Sequence, residues 1–315
     1  MLKRRMQILV VLSIVLAAVY QFIFVDMKYF EYAMHIRTPK LIAMVIAACC
    51  IGVASIVFQS IINNRIVTPC LLGMNSLYVF VHTALAFFIG IDHVFIANKR
   101  IAFIIDLILM GIMGTLIYGT LFKKTKYNIL YVLLSGTVLA TFFTSVSNTL
   151  TRTMDPNTYD TLLTQLVPGF DHVNADVIGI SLVVIVIIYF VFRKDFKLLE
   201  VITLGRNQAI NLGVNYDIEI TRLLIFVTLM ITVATALVGP ISFLGLITAN
   251  LAREFFKTYK QSYLTTGAAL MGVIVIIFGQ ILIEHVFGFG TQISVFINVF
   301  GGFYFLYLVY KNKGV

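Results

Sequence analysis

Ten apolar runs, each near the roughly twenty residues that a helix needs to cross a hydrocarbon core, dominate the chain. They lie near 7-26, 39-62, 70-90, 101-122, 128-148, 175-192, 219-238, 240-256, 265-284 and 292-310. A backbone in lipid has no water to bond, so such runs predict helices that satisfy their own hydrogen bonds. Composition agrees: 60% of the 315 residues are hydrophobic and only 12% are charged, too few to solvate a globule of this size. The fold class expected is all-α, a polytopic membrane protein. Only the links 149-174 and 193-218 are long, and neither is long enough to fold by itself, so one membrane domain over 1-315 is expected. Lys3, Arg4 and Arg5 precede the first run as in a signal peptide, but no small-x-small cleavage site follows; the run is expected to remain as the first span. Cys49, Cys50 and Cys70 sit in or beside spans and read as small buried hydrophobes, with no disulfide framework, metal site or cofactor implied.

The ambiguous run is "LVGPISFLGLITANLAREFF", residues 237-256, apolar yet punctuated by Gly, Pro, Ser, Thr and Asn. Lys and Arg concentrate in cytoplasmic loops, and that bias decides whether the run crosses. With ten spans and the N-terminus inside, seventeen of the 23 basic residues fall inside; if 240-256 were a loop, the split would become twelve to eleven. The run is therefore read as a short, irregular eighth span, with Arg253 and both termini in the cytoplasm. The same topology accounts for the net charge of +9 without nucleic acid as a partner. Within this span Ser242, Gly245, Ala249 and Ala252 recur at steps of three and four, which predicts a small-residue helix face where a neighbouring helix approaches closely. Pro240 suits a position near the helix start.

Several residues invite a chemical reading. Asp106 lies inside the fourth span, where an ionised carboxylate costs about 3 kcal/mol on insertion scales; a protonated or hydrogen-bonded structural carboxyl is the expectation. His82 in the third span has no partner at metal-ligand spacing and reads as a packed side chain. Asp155-Pro156 should start a short helix near 157-166. No GxxxxGK[ST] loop occurs, so the chain has no phosphate cradle of that kind and no ATP hydrolysis is expected of it.

Four segments carry a family resemblance. "GPISFLGLITANLAR" looks like the signature "GPIGFVGLIVPHLAR" of FecCD-type permeases, the membrane subunits of ABC importers for iron-siderophore complexes, haem and cobalamin. Residues 37-76 keep Arg37, Pro39, Gln59, Asn64, Pro69, Leu72 and Gly73 in register with that family's second-span pattern. "LGRNQAINLGVN", residues 204-215, resembles "LGEEAARSLGVN", and 133-150 resembles the family's fifth span. Departures are Arg65 for the proline of "NPLA", Ala249 and Asn250 for "PH", and Arg206 and Asn207 for an acidic pair. The ending "NVFGGFYFLYL" resembles that of a subgroup associated with catecholate-type siderophores.

The resemblance implies a type II importer permease fold, like that of the cobalamin importer, and a set of roles. ATPase coupling would fall to 204-215, with Gly205 and Gly213 ending the helix, Arg206 in the altered pair and Ala209 allowing close approach. Docking of an extracytoplasmic substrate-binding protein would fall to Arg37 and Lys40, three residues apart on one helical face, with interfacial anchoring as the bland alternative; Glu284 or His285 stands where a third basic group is expected. The pathway would be lined by the fifth and tenth spans, the fifth through Ser135, Thr137, Thr141, Thr144, Ser145 and Asn148, beside Gly136. Hydroxyls in membrane helices also bond simply to backbone. The implied partners are ABC ATPase subunits, a binding protein, a second permease subunit and membrane lipid, in a bacterial inner membrane. An ion-coupled secondary transporter remains the competing class; Asp106 is its one mid-span carboxylate.

Overall fold

The computed structural model describes residues 1–25, 27–90, 93, 98–125, 129–170, 173, 175–288 and 290–312. Lys126 and Lys313, both counted for topology, lie outside these residues, as do the last residue of the first expected span and the first of the fifth. Among the described residues thirteen α-helices and two 3-10 turns form the architecture. They are α1 (Leu2–Phe22), α2 (Phe30–Ile62), α3 (Met74–Phe88), α4 (Lys99–Lys124), α5 (Ile129–Arg152), α6 (Pro156–Leu166), α7 (Ala175–Phe192), α8 (Asp195–Ile202), α9 (Arg206–Asn211), α10 (Tyr216–Val238), α11 (Leu244–Phe256), α12 (Gln261–His285) and α13 (Ile293–Asn312). Eight of them, all but α3, α6, α8, α9 and α11, are long and apolar enough to cross a bilayer.

The third and eighth expected spans appear as the shorter α3 and α11. At 13 residues, α11 reaches only about 20 Å at 1.5 Å per residue, and the rest of its segment is irregular backbone from Gly239 to Phe243. Val238, Ile241 and the first two turns of α11 are buried. That position reconciles the irregularity with a membrane, because non-helical backbone at depth is tolerated only inside protein.

Helices α2 and α10 form the centre and are buried on most sides, whereas α1, α5, α7 and α13 leave most of their surfaces open. Helix α2 packs against α10 and α12, and α11 lies across α2, α12 and α13. Small residues make the α2–α12 contact possible: a Cβ on Gly52 would stand 2.7 Å from the Ala268 carbonyl oxygen, and one on Gly272 would stand 3.0 Å from that of Ala48. Backbones that close gain dispersion contacts that lipid cannot replace. Helix α2 also starts nine residues before the span expected at 39. Pro39 sits inside it without ending it, and the segment Phe30–Thr38 projects as a largely exposed extension.

The small-residue face expected at 242-252 needs one correction. Ser242 precedes α11 and accepts a hydrogen bond from Asn75 Nδ2 at 3.0 Å; the bend at Pro240–Phe243 removes it from the helical register. Gly245 lies against Ser55 of α2, while Ala249 and Ala252 are wholly buried with Ile56, Phe256, Leu264 and Ala268. The helix expected near 157-166 is α6, whose N-cap Asp155 accepts from the Asn157 N–H at 3.1 Å.

Candidate functional site

Two ends of the bundle and one exposed face hold the residues singled out in the sequence. At the first end, α1 stops at Phe22 and leaves its last carbonyls without helical partners. Arg37 Nη1 donates to the carbonyls of Tyr20 at 3.0 Å and Ile23 at 2.8 Å, with Gln21 at 3.4 Å. Its guanidinium also stands 5.8 Å from the Tyr20 ring centroid. A cation there complements the negative end of the helix dipole. Arg37 thus turns onto α1, and Lys40, one turn on, is half-buried. The Tyr20 hydroxyl donates to Glu284 Oε1 at 3.1 Å, and Gln280 Nε2 donates to the same oxygen at 2.8 Å. His285 packs on Phe24 with ring centroids 5.0 Å apart. The ends of α1, α2 and α12 are thereby joined.

The opposite end carries α8 and α9. Gly205 and Gly213 have φ of +99° and +82°, the left-handed region that side chains rarely tolerate. Gly213 donates to the Ile210 carbonyl at 2.9 Å and Val214 to that of Ala209 at 3.0 Å, a Schellman ending that satisfies the last carbonyls of α9. Arg206 pairs with Asp217 of α10 at 3.1 Å. Ala209 is wholly buried in the chain's own core, so the expectation that it leaves room for a partner is corrected. The groups on the outside are Leu204, Ile210, Leu212 and Ile218, each at least half exposed. Four apolar side chains around one short link were the available sequence signal, and they were not singled out. Asp195, at the start of α8, is buried 3.3 Å from Arg222 Nη2 of α10. Burial pushes its carboxyl above the usual range, and the Arg222 charge opposes that rise.

On α5, Thr137, Thr141, Thr144, Ser145 and Asn148 are exposed along one stripe with Leu134 and Val138. Ser135 is half-buried and Gly136 is buried beside Leu72. Thr137, Thr141 and Thr144 donate to carbonyls three or four residues back at 2.8–2.9 Å. Their donors are thus spent on their own helix, leaving oxygen lone pairs and methyl groups outward. Helix α13 likewise leaves Val295, Val299, Phe303, Leu306 and Tyr310 exposed.

Asp106 is hydrogen-bonded: its Oδ2 lies 2.9 Å from His82 Nε2, with both side chains largely buried. His82 is therefore partnered, which corrects its reading as an isolated packed residue. Its ring also lies 4.3 Å from that of Tyr78. Twenty-four residues separate the pair on two helices, so no local spacing announces it. Among the described residues no group of three His, Cys, Asp or Glu side chains is placed to hold a metal ion.

A bundle with eight helices long and apolar enough to cross a bilayer, two shorter ones packed among them and two small helices at one end is the architecture of a multi-pass membrane protein. A family model described as the FecCD transport family matches residues 6–311, and the chain belongs to that family. It is 37% identical over 312 residues to the petrobactin import system permease protein YclO of Bacillus subtilis (strain 168), covering 99% of each chain. It is 31% identical to the petrobactin import system permease protein FatC of Bacillus anthracis, over 89% of this chain and 79% of that one. Among solved structures it resembles a metal-chelate type ABC transporter in an inward-facing conformation, with TM-score 0.81 and 20% identity, over 99% of this chain and 100% of the other. It is a transport component, not a catalytic subunit.

Proposed function

We propose that this chain is the permease of a bacterial inner-membrane importer for a ferric siderophore, of the catecholate type represented by petrobactin. The carrying observation is the full-length similarity to a petrobactin import permease, 37% identical over 99% of both chains. The chain forms one membrane domain. The end with α8 and α9 faces the cytoplasm with both termini, consistent with the charge bias. The Arg37 end faces outward, where Lys40 and the projecting start of α2 receive a substrate-binding protein.

ABC ATPase subunits rest against α9. Gly205 and Gly213 fix its ends, Arg206 ties it to α10, and Leu204, Ile210, Leu212 and Ile218 supply the apolar contact. The ATPase is a separate subunit, and its closure moves this end. The uncharged stripes on α5 and α13 face a second permease subunit, a copy of this chain or a relative, and between the two subunits they line the path. Lone pairs and methyl groups without charge let a bulky anionic chelate slide without being trapped. Lipid covers the remaining apolar surface.

One observation favours a second reading: His82 and Asp106 form an ionisable pair within the bundle, as ion-coupled transporters use. Uptake of ferric petrobactin in cells with the proton gradient collapsed and ATP maintained separates the two. Continued uptake supports the importer; arrest with ATP intact assigns the driving force to the gradient.

A further inference from the structure

The ATPase-facing end and the α5 stripe lie on different parts of the bundle; a run of polar contacts leads from the first to the Arg65 carbonyl, and the chain beyond it packs on α5 through Leu72. The run begins on α8, where Glu200 Oε1 accepts the backbone N–H of Gln261, the first residue of α12, at 3.1 Å. The Gln261 side-chain oxygen accepts from Ser60 Oγ in the last turn of α2 at 3.0 Å. Ser60 Oγ in turn accepts from Arg253 Nη2 at the end of α11, at 3.1 Å. Arg253 Nε donates to Gln59 Oε1 at 3.2 Å, and Gln59 Nε2 donates to the carbonyl of Arg65 at 2.8 Å. Asn250 Nδ2 of α11 reaches the same carbonyl at 2.8 Å.

Beyond Arg65 the chain enters the 3-10 turn Pro69–Leu72. Its Leu72 carbonyl accepts from Tyr118 of α4 at 3.0 Å. Leu72 packs so closely on Gly136 of α5 that a Cβ there would stand 2.7 Å from Leu72 Cδ2. Helices α2 and α11 thus meet on one strap, residues 63–68, through the Arg65 carbonyl, and the strap runs into the turn whose Leu72 packs on the pathway helix.

Gln59, Ser60, Gln261 and Asn250 are buried. The links made between buried side chains resist being pulled apart, because water does not reach them; Glu200, at the outer end of the run, is exposed. The apolar contacts of α8, through Leu199 and Ile202, can slide; a hydrogen bond of fixed donor and acceptor cannot slide without breaking. Such a chain carries displacement where greasy contacts absorb it.

We infer that Glu200, Gln261, Ser60, Arg253 and Gln59 are the positioning residues that carry the movement of α8 through the strap at 63–68 to α5. This rests on the importer reading. Glu200 is the link at which ATPase closure enters the bundle. Gln59 and Asn250 hold the Arg65 carbonyl from two helices, so a shift of α11 against α2 is delivered to the strap.

The test uses the complete importer, this permease with its second permease, ATPase and binding protein, in proteoliposomes. Ferric petrobactin uptake and ATP hydrolysis are measured on the same vesicles. For Glu200→Ala and Ser60→Ala, the chelate carried per ATP hydrolysed should fall about tenfold, the size of an ordinary coupling effect between sites. Glu200→Gln keeps an acceptor oxygen for the Gln261 N–H and should restore the ratio. A merely structural role lowers the amount of assembled complex and reduces both rates together; an unchanged ratio in Glu200→Ala overturns the inference. If Ser60→Ala does not assemble, the Glu200 pair decides, since that carboxylate lies on an exposed residue. Wild-type vesicles that hydrolyse ATP but carry no ferric petrobactin would instead sink the proposed function.

Discussion

His82 Nε2 and Asp106 Oδ2 meet at 2.9 Å inside the bundle, tying α3 to α4. Asp106 Oδ1 has no hydrogen-bond partner among the described residues, so His82 is the contact that makes this carboxyl tolerable. Removing one member of a buried pair leaves the other uncompensated, which costs more than the pair gains. His82→Ala should destabilise the purified permease by about 3 kcal/mol. The double variant His82→Leu with Asp106→Leu should recover most of that loss. Thermal unfolding in detergent reads both, and a double variant no better than the single one contradicts the account.

Arg37 caps α1, and its three carbonyl contacts converge on one nitrogen. Arg37→Ala should cost about 1–2 kcal/mol and speed hydrogen exchange in the last turn of α1, because the cap orders that turn. Docking alone would show itself differently. Weakened capture of the binding protein with unchanged exchange would assign Arg37 to the partner, not to the helix.

Gly213 adopts a φ of +82° at the Schellman ending of α9. A β-branched side chain there is strained by roughly 1–2 kcal/mol, so Gly213→Val should fray α9 and reduce ATPase association. Leu212→Asp leaves the backbone intact and charges the exposed apolar group beside it. Pull-down of the ATPase should fall at least about tenfold, equivalent to ~1.4 kcal/mol, with the permease's melting temperature unmoved. Retention of the ATPase by Leu212→Asp would place the docking surface elsewhere.

Gly52 sits where a Cβ would press on the Ala268 carbonyl. Overpacking of this kind typically costs about 1–3 kcal/mol, and the clash is with backbone, which cannot rotate away. Gly52→Val should lower thermal stability accordingly, whereas Gly119→Ala, with open space around its position, should be tolerated apart from any change in helix propensity. Equal stability of the two variants would argue against close α2–α12 packing.

Much of the plan was legible before any coordinates. Apolar runs of about twenty residues reveal helices because lipid forbids unbonded backbone, and the charge bias argued that 237-256 crosses. Start and stop chemistry was local, so Asp155-Pro156 marked α6, and Gly205 and Gly213 marked the limits of α9. Motif register along the chain pointed to the family. These signals are carried by neighbours in sequence.

Side-chain direction was not legible. Arg37 and Lys40 share a helical face by spacing, yet only the end of α1, folded alongside, shows which carbonyls claim the guanidinium. The same limit hid His82 from Asp106, removed Ser242 from the face of α11, and buried Ala209 in its own core. It also concealed the run from Glu200 to Arg65, whose members come from α8, α12, α2 and α11. The sequence determined which segments enter the membrane, because desolvation acts on each segment by itself. Tertiary structure alone decided which polar groups satisfy one another there, because a buried donor takes whichever acceptor packing brings within about 3 Å, whatever its distance along the chain.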